Sequence, residues 1–496
     1  MKNEGDRVTI KGVPYTLGKR IGGGLEGSVF DIDGGPNANG YVVKIINDSK
    51  IDLDEKIRIH NQIRKLAYIR STNGDLRNIM TLPIEILDSD LGYVMRKAEN
   101  YESLEVYNHC PKDDSFEEWY RKDYGLKRRY QILLRLFEAL RKIHLNGLIF
   151  TDLSPHNIMV PKDKGKDGLV FIDTDNLRDS RQYTAVLGTP RYIAPEIYRA
   201  NLPREIGGKE VNPDILSKYG KATINSDIFS AAVIAFELLL LQHPFIGDCI
   251  DEGTPEDEER ALRIETDYIF KDGTTNISTR GLTTRCADVV SPEIMRLFER
   301  TFVDGAGNPN LRPTDEEFIS AFQKGLDSLI TCPKCGFDHM YVPGLGNHCI
   351  NCEYGFGEQV ALITYVQFAN VTDLEALNTI LGNDYALDSC KPFGSKCILS
   401  RVVLEPGVPK NLYLRHFEEV TDRSDKYAIV TLNGTDAIEL KINFKKFEKV
   451  EVYKGDRLRD TYTQGIVSLK TYHTLVLQRV AHGNGTSMLC LGFERC

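Results

Sequence analysis

At 496 residues, with 41% hydrophobic and 27% charged side chains, the chain is too apolar for global disorder and has room for about three domains. Its formal charge of −9 argues against a nucleic-acid backbone as the main partner, because such binding relies on clustered cations. Residues 1–12 lack the apolar core of a secretion signal. The best span candidate, residues 228–241, contains Glu237 and falls short of the roughly 20 apolar residues a membrane helix needs. A cytoplasmic chain with no membrane partner is expected, its eleven cysteines mostly reduced.

In chain order, residues 8–10, 15–21, 29–32 and 41–46 read as short strands broken by glycines. Residues 52–69 change to a helical period with Leu53, Ile57, Ile63 and Leu66 on one stripe. Strands at 80–86 and 93–95 complete a small lobe, residues 1–98. Residues 99–328 are mainly helical. Residues 130–145 align Ile132, Leu133, Leu136, Phe137, Leu140 and Ile143, and further helices fall at 228–241, 292–302 and 314–329. Short strands at 158–160 and 170–172 interrupt them, and the acidic run from Asp251 to Glu259 reads as a solvated stretch. The texture then changes. Residues 329–358 carry paired cysteines, and residues 359–496 are mostly β, with runs at 361–366, 398–404, 427–432, 437–442, 467–472, 474–480 and 487–493. Asn433-Gly434 marks a hairpin, and a helix is expected near 372–381. This tail holds 17 Lys+Arg against 16 Asp+Glu, so it lacks a cationic stripe and reads as an interaction or docking domain.

Several motifs carry chemistry. Gly22-Gly23-Gly24-Leu25-Glu26-Gly27-Ser28-Val29 lies between two strands, where glycines let a hairpin tip close over phosphates. A dinucleotide site would need those glycines to open a helix. Lys44 ends the next apolar strand and can offer fixed charge to phosphates, given a helix glutamate to orient it; Glu55 is the expected partner. Asp152 is followed five residues later by Asn157 and an apolar strand. That spacing suits a carboxylate that orients an attacking hydroxyl and an amide that ligates a phosphate-bound metal. Asp173, at the end of residues 170–172, supplies the further carboxylate such a metal needs.

Next come Gly188-Thr189-Pro190-Arg191-Tyr192-Ile193-Ala194-Pro195-Glu196, Ser226-Asp227, His243-Pro244-Phe245 and Arg312-Pro313-Thr314. With these in order, the chain resembles a eukaryotic-type (Hanks-type) protein kinase over residues 10–328. The resemblance implies a bilobal α+β kinase fold that uses ATP with Mg2+ or Mn2+. It implies transfer of the γ-phosphoryl group to Ser/Thr hydroxyls of protein substrates, autophosphorylation included. Lys44, Glu55, Asp152, Asn157 and Asp173 would be catalytic, and Asn157 and Asp173 would hold the metal. Gly22, Gly24, Gly27, Val29, Lys44, gatekeeper Met95 and hinge residue Lys97 would contact the nucleotide. Glu196 would pair with Arg312, Asp227 would hold the catalytic loop, and Thr189 fits the Ser/Thr pattern.

Three positions depart from that pattern. Thr151 replaces the arginine that anchors a phosphorylated activation loop, Ser154 replaces a lysine that contacts the γ-phosphate, and Asp175 replaces a glycine. Ser180, Tyr183 and Thr184 are candidate phosphosites. Residues 301–305, with Asp152-Leu153-Ser154-Pro155, resemble bacterial kinases of tellurite- or stress-resistance gene clusters, which implies a cognate phosphatase and a von Willebrand-type domain protein as partners.

Cys332-Pro333-Lys334-Cys335 and Cys349-Ile350-Asn351-Cys352 form two knuckles whose four thiolates suit a tetrahedral, structural Zn2+ in a zinc ribbon. Gly336 and Gly355 are expected to make the turns beside it, His339 and His348 to stay outside the ligand set. Cys390, Cys397, Cys490 and Cys496 read as structural thiols. Two other function classes compete with the kinase reading. One is an ATP-binding pseudokinase scaffold; the other is a nucleic-acid-binding regulator acting through the ribbon and tail.

Overall fold

The computed structural model describes residues 2–23, 27–33, 40–49, 51–122, 124–179, 188–200, 222–342, 348–367, 392–393, 396–413, 426–445, 447–455, 457–482 and 485–495. Two compact units emerge, one made of residues 1–286 and 292–322, the other of residues 287–291 and 323–496. The helix expected near 372–381 lies outside the described residues.

The first unit opens with a six-stranded sheet. Its strands are β1 (Arg7–Ile10), β2 (Val13–Gly23), β3 (Gly27–Asp33), β4 (Tyr41–Ile46), β5 (Glu85–Ile86) and β6 (Gly92–Arg96), in spatial order β1-β2-β3-β4-β6-β5. The run expected at 80–86 shrinks to β5 because Pro83 has no N–H to give a ladder. Helix α1 (Leu53–Thr72) is capped by Asp52, whose side chain accepts the Glu55 N–H, and it buries Ile63 and Leu66. Leu53 and Ile57, expected on the same buried stripe, are 72% and 50% exposed. Those two side chains turn to solvent, while Ile51 before the helix and Ile59 within it pack against the sheet.

Below the sheet the unit is helical. Helices α2 (Gly74–Ile79), α3 (Phe116–Lys122) and α4 (Leu126–Leu145) lead into the site strands, with β7 (Tyr101–Ser103) between α2 and α3. All six apolar residues expected to line α4 are buried. The site strands are β8 (Leu148–Phe150), β9 (Ile158–Pro161), β10 (Val170–Phe171) and β11 (Leu177–Asp179); α5 (Pro195–Ala200) and α6 (Ile224–Leu240) follow. Helix α6 is buried on every side from Ser226 to Leu240, so its apolar run is a core helix. Among the described residues no helix is long and apolar enough to cross a membrane.

The second unit is β-rich. Strands β12 (Leu329–Thr331) and β13 (Asp338–Met340) belong to the cysteine segment, and Ile330, Tyr341 and Phe356 pack with Val403 of the tail. Beyond it, a seven-stranded sheet (strands between Val360 and Arg495) and a four-stranded sheet (between Lys410 and Lys470) share one core. Leu362, Leu475 and Leu491 from the first meet Val430, Leu440 and Val467 from the second. The Asn433-Gly434 hairpin is present, with Gly434 at φ +69°. Strand Arg457–Tyr462 escapes sequence reading because it is an edge strand with almost every side chain exposed, so no alternation marks it.

Candidate active site

A short ladder joins the segments that carry Asn157 and Asp173. β9 and β10 pair antiparallel (Met159↔Val170, Ile158↔Phe171), and the Ile172 N–H extends that pairing to the Asn157 carbonyl at 2.9 Å. Asn157, just before β9, is thereby set beside the segment that ends in Asp173. Asn157 Nδ2 donates to the Asp152 carbonyl (2.9 Å) and to its carboxylate Oδ2 (3.2 Å). The other Asp152 oxygen, Oδ1, accepts the Thr189 N–H and hydroxyl, both at 2.9 Å. Asp173 adopts φ 58°, ψ 47°, a left-handed backbone that costs a non-glycine residue about 1–2 kcal/mol and tends to survive at functional sites.

The framework under this loop is charged and buried. Asp227 Oδ2, on α6, accepts the Phe150 N–H at 2.6 Å and lies 3.2 Å from His144 Nε2. His144 Nδ1 lies 2.7 Å from Asp315. Burial opposes a charge on this imidazole, but hydrogen bonds to Asp227 and Asp315, and their charges, outweigh it and raise its pKa to about 9. Sequence reading missed His144. Arg312 makes a two-pronged pair with Glu196 (2.8 and 2.7 Å), as expected, with its side chain fully buried. Tyr192 donates to Glu237 on α6 at 2.7 Å and ties down the loop that carries Thr189.

Lys44 enters from β4, in register with Val29 and Tyr93. Its ammonium, on a side chain only 7% exposed, contacts Asp173 and sits 2.7 Å from Asp175 Oδ2. Burial pushes its pKa down, but the two carboxylates outweigh burial and hold it above the ordinary lysine value. Glu55 does not orient it. Glu55 lies in the first turn of α1 and pairs with Arg58 at 3.1 Å. Two turns further along, Gln62 faces the site segment instead, its Nε2 donating to the Leu177 carbonyl at 2.6 Å. The α1 position that faces this segment, two turns beyond Glu55, carries an amide.

Val29 and Met95 share an apolar cluster with Val42, Ile63 and Tyr93. Gly22 pairs with Val29, and a Cβ at Gly27 would collide with the Ile45 carbonyl, so glycine is needed there for close strand approach. Gly24 lies outside the described residues, as do Ser180, Tyr183 and Thr184. Lys97 differs from its expected role. Its N–H is already donated to the Gly40 carbonyl at 2.9 Å, and its ammonium pairs with Asp31 at 2.5 Å. Ser154 is buried, and its hydroxyl has no hydrogen-bond partner among the described residues.

In the second unit, the sulfurs of Cys332, Cys335, Cys349 and Cys352 all lie within 4.8 Å of one another, with Cys332–Cys352 at 3.7 Å and Cys335–Cys349 at 3.4 Å. Zn–S bonds of about 2.3 Å in a tetrahedron put sulfurs about 3.8 Å apart, so the four thiols fit that ion. Each knuckle is closed by its backbone: Gly336 N–H to Cys332 O (2.8 Å) and Glu353 N–H to Cys349 O (3.1 Å). Gly336 turns at φ +79°, as expected. The second turn is made by Glu353 at φ +55°, whereas Gly355 is ordinary backbone bridged to His348. His339 is buried and stacks on Phe356. Cys490 is buried in the tail sheet; Cys390, Cys496 and the Cys397 side chain lie outside the described residues.

Comparison with known proteins agrees with this geometry. The chain is 27% identical over 252 residues to calcium-dependent protein kinase 5 of Plasmodium falciparum, covering 48% of this chain and 39% of that protein. It is 28% identical over 235 residues to calcium-dependent protein kinase 6 of Plasmodium berghei (46% and 13%). It is 26% identical over 210 residues to serine/threonine-protein kinase nekl-2 of Caenorhabditis elegans (42% and 51%). The chain thus spans about half or less of the length of these relatives. The family model for the protein kinase domain matches residues 15–320, more than half of the chain, and the chain belongs to that family.

Proposed function

We propose that the chain is a protein kinase that transfers the γ-phosphoryl group of Mg-ATP to Ser/Thr hydroxyls of protein substrates. The observation that carries this reading is two linked pairs: Lys44 with Asp173, 129 residues away, and Asn157 with Asp152, joined through the β9–β10 pairing and the Ile172 N–H bond to the Asn157 carbonyl.

Asn157 and Asp173 fit a divalent cation. Asn157 uses its Nδ2 toward Asp152, which leaves its amide oxygen for the ion, and Mg2+ commonly takes only one or two protein oxygens beside phosphates and water. When bound, the ion would neutralise charge on the phosphates. Lys44 would add fixed positive charge from the sheet side. Asp152, held by Thr189 and Asn157, would accept the proton of the incoming hydroxyl. Its bond to the Thr189 hydroxyl supports Ser/Thr transfer over tyrosine. With the Lys97 amide engaged, the Arg96 carbonyl and Ala98 amide are the hinge groups suited to a purine edge. Cys332, Cys335, Cys349 and Cys352 would hold a structural Zn2+ with no open position. The likeness of residues 301–305 to stress-resistance kinases suggests a phosphatase as the opposing enzyme.

The test is incubation with γ-labelled ATP, Mg2+ and a basic acceptor protein. Label should appear on Ser/Thr of the acceptor or the chain and fall at least ~100-fold in Asp152→Asn. Absence of transfer, or transfer indifferent to Asp152→Asn, contradicts the reading. One observation favours a nucleotide-binding scaffold instead: a buried neutral Ser154 where a cation is expected. A Mg-ATP thermal shift without turnover would select it.

A further inference from the structure

We infer that Asp175 is the positioning residue for Lys44, doing from the turn after Asp173 what a helix glutamate would otherwise do from α1; this rests on the kinase reading above.

The argument begins with charge. Lys44 is buried, and an ammonium with no carboxylate beside it is costly in that setting. In this structure it has two carboxylates, Asp173 and Asp175. A metal-bound nucleotide would claim Asp173, so a second anion must stay with Lys44. Helix α1 does not provide it. Glu55 is spent on Arg58, and the α1 residues that reach this segment are Gln62, a neutral amide bonded to the Leu177 carbonyl, and Lys65, a cation paired with Asp179.

Asp175 is built for the task. Its Oδ2 lies 2.7 Å from Lys44 Nζ, and its Oδ1 accepts the hydroxyl of Tyr93, a fully buried residue of β6 paired in register with Lys44. Both oxygens are engaged by Lys44 and Tyr93, which suits Asp175 to holding the lysine rather than an ion. The residue sits in the 3-10 turn Thr174–Asn176 with ordinary negative φ, so no glycine is needed at this position. Tyr93 fixes the carboxylate, the carboxylate fixes the lysine, and the lysine faces the phosphates.

Steady-state kinetics with varied ATP, and equilibrium titration with Mg-AMP-PNP, test this on the full chain. Asp175→Asn is expected to raise KM for ATP and weaken analogue binding at least tenfold, with a smaller loss in kcat and a cooperative melting transition retained. Tyr93→Phe should move the same constants in the same direction by a few-fold. Asp175→Gly should show the same defect, whereas Asp175→Glu, which keeps the carboxylate, should stay closer to the wild-type constants. Asp175→Asn constants within twofold of wild type, or an Asp175→Glu variant as defective as Asp175→Gly, overturn the proposal. If Asp152→Asn still abolishes transfer in that case, the kinase reading survives. Wild type that does not bind the analogue overturns both.

Discussion

The kinase cleft and the four-cysteine site are both suited to metals, yet they are specified in opposite ways. The four cysteines span residues 332–352, and their own backbone turns converge them. The cleft gathers Lys44 and Asp173 across 129 residues, and its loop rests on Asp227 and on His144, which itself reaches Asp315 across 171 residues. A local site depends on spacing and turn geometry. A distributed site depends on the whole core beneath it.

That contrast can be broken most forcefully at the cysteines. Removal of Zn2+ by a chelator, or Cys349→Ser, should cost the knuckles on the order of 10 kcal/mol of folding free energy. Amide exchange at residues 332–356 should then lose its protection, with the protein releasing one equivalent of zinc. Unchanged protection would show that the turns stand without metal.

The distributed site should instead feel pH. The folded-state pKa of His144 is raised to about 9 against about 6.5 for free histidine, so its contribution is fully present below about pH 6.5. It disappears as pH rises through about 9. At about 1.4 kcal/mol per unit, the loss is on the order of 3 kcal/mol, reduced because burial also makes the Asp227 carboxylate costly to ionise. The melting temperature of the kinase unit should therefore drop between pH 6.5 and 9, and His144→Gln should flatten that drop. An equal drop in the variant would remove His144 from the account.

The smallest effect sharpens the local side. Glu353 makes a left-handed turn where its counterpart in the first knuckle is Gly336. Glu353→Gly should raise stability of the zinc-bound form by up to about 1 kcal/mol, read by denaturant titration. A destabilised variant would mean that the Glu353 side chain, not its backbone, matters.

The same contrast explains what could be read from the sequence. The strand-flanked glycines, Asp152 with Asn157, Asp173 and the cysteine knuckles were all legible, because their chemistry is written in short spacings. The Glu196–Arg312 pair was reached through family resemblance. Partners set by three-dimensional packing were not legible. Glu55 has the expected place in the sequence after Lys44, but in the structure it pairs with Arg58. Asp175 looked like a lost glycine, and nothing in its neighbourhood of the sequence announces Tyr93 or Lys44. His144 reads as one more residue near the end of an amphipathic helix, since its two carboxylates arrive from distant segments. Only strand register shows that the Lys97 amide is taken by Gly40.

The claim beneath all of this is that Asp173, Asn157 and Lys44 hold a metal-bound triphosphate together. Calorimetric titration of ATP into wild type and Asp173→Asn, each with and without Mg2+, addresses it most directly. The account predicts that Mg2+ tightens binding to wild type at least tenfold and does little for Asp173→Asn. Equal binding by the two proteins, indifferent to Mg2+, would contradict it.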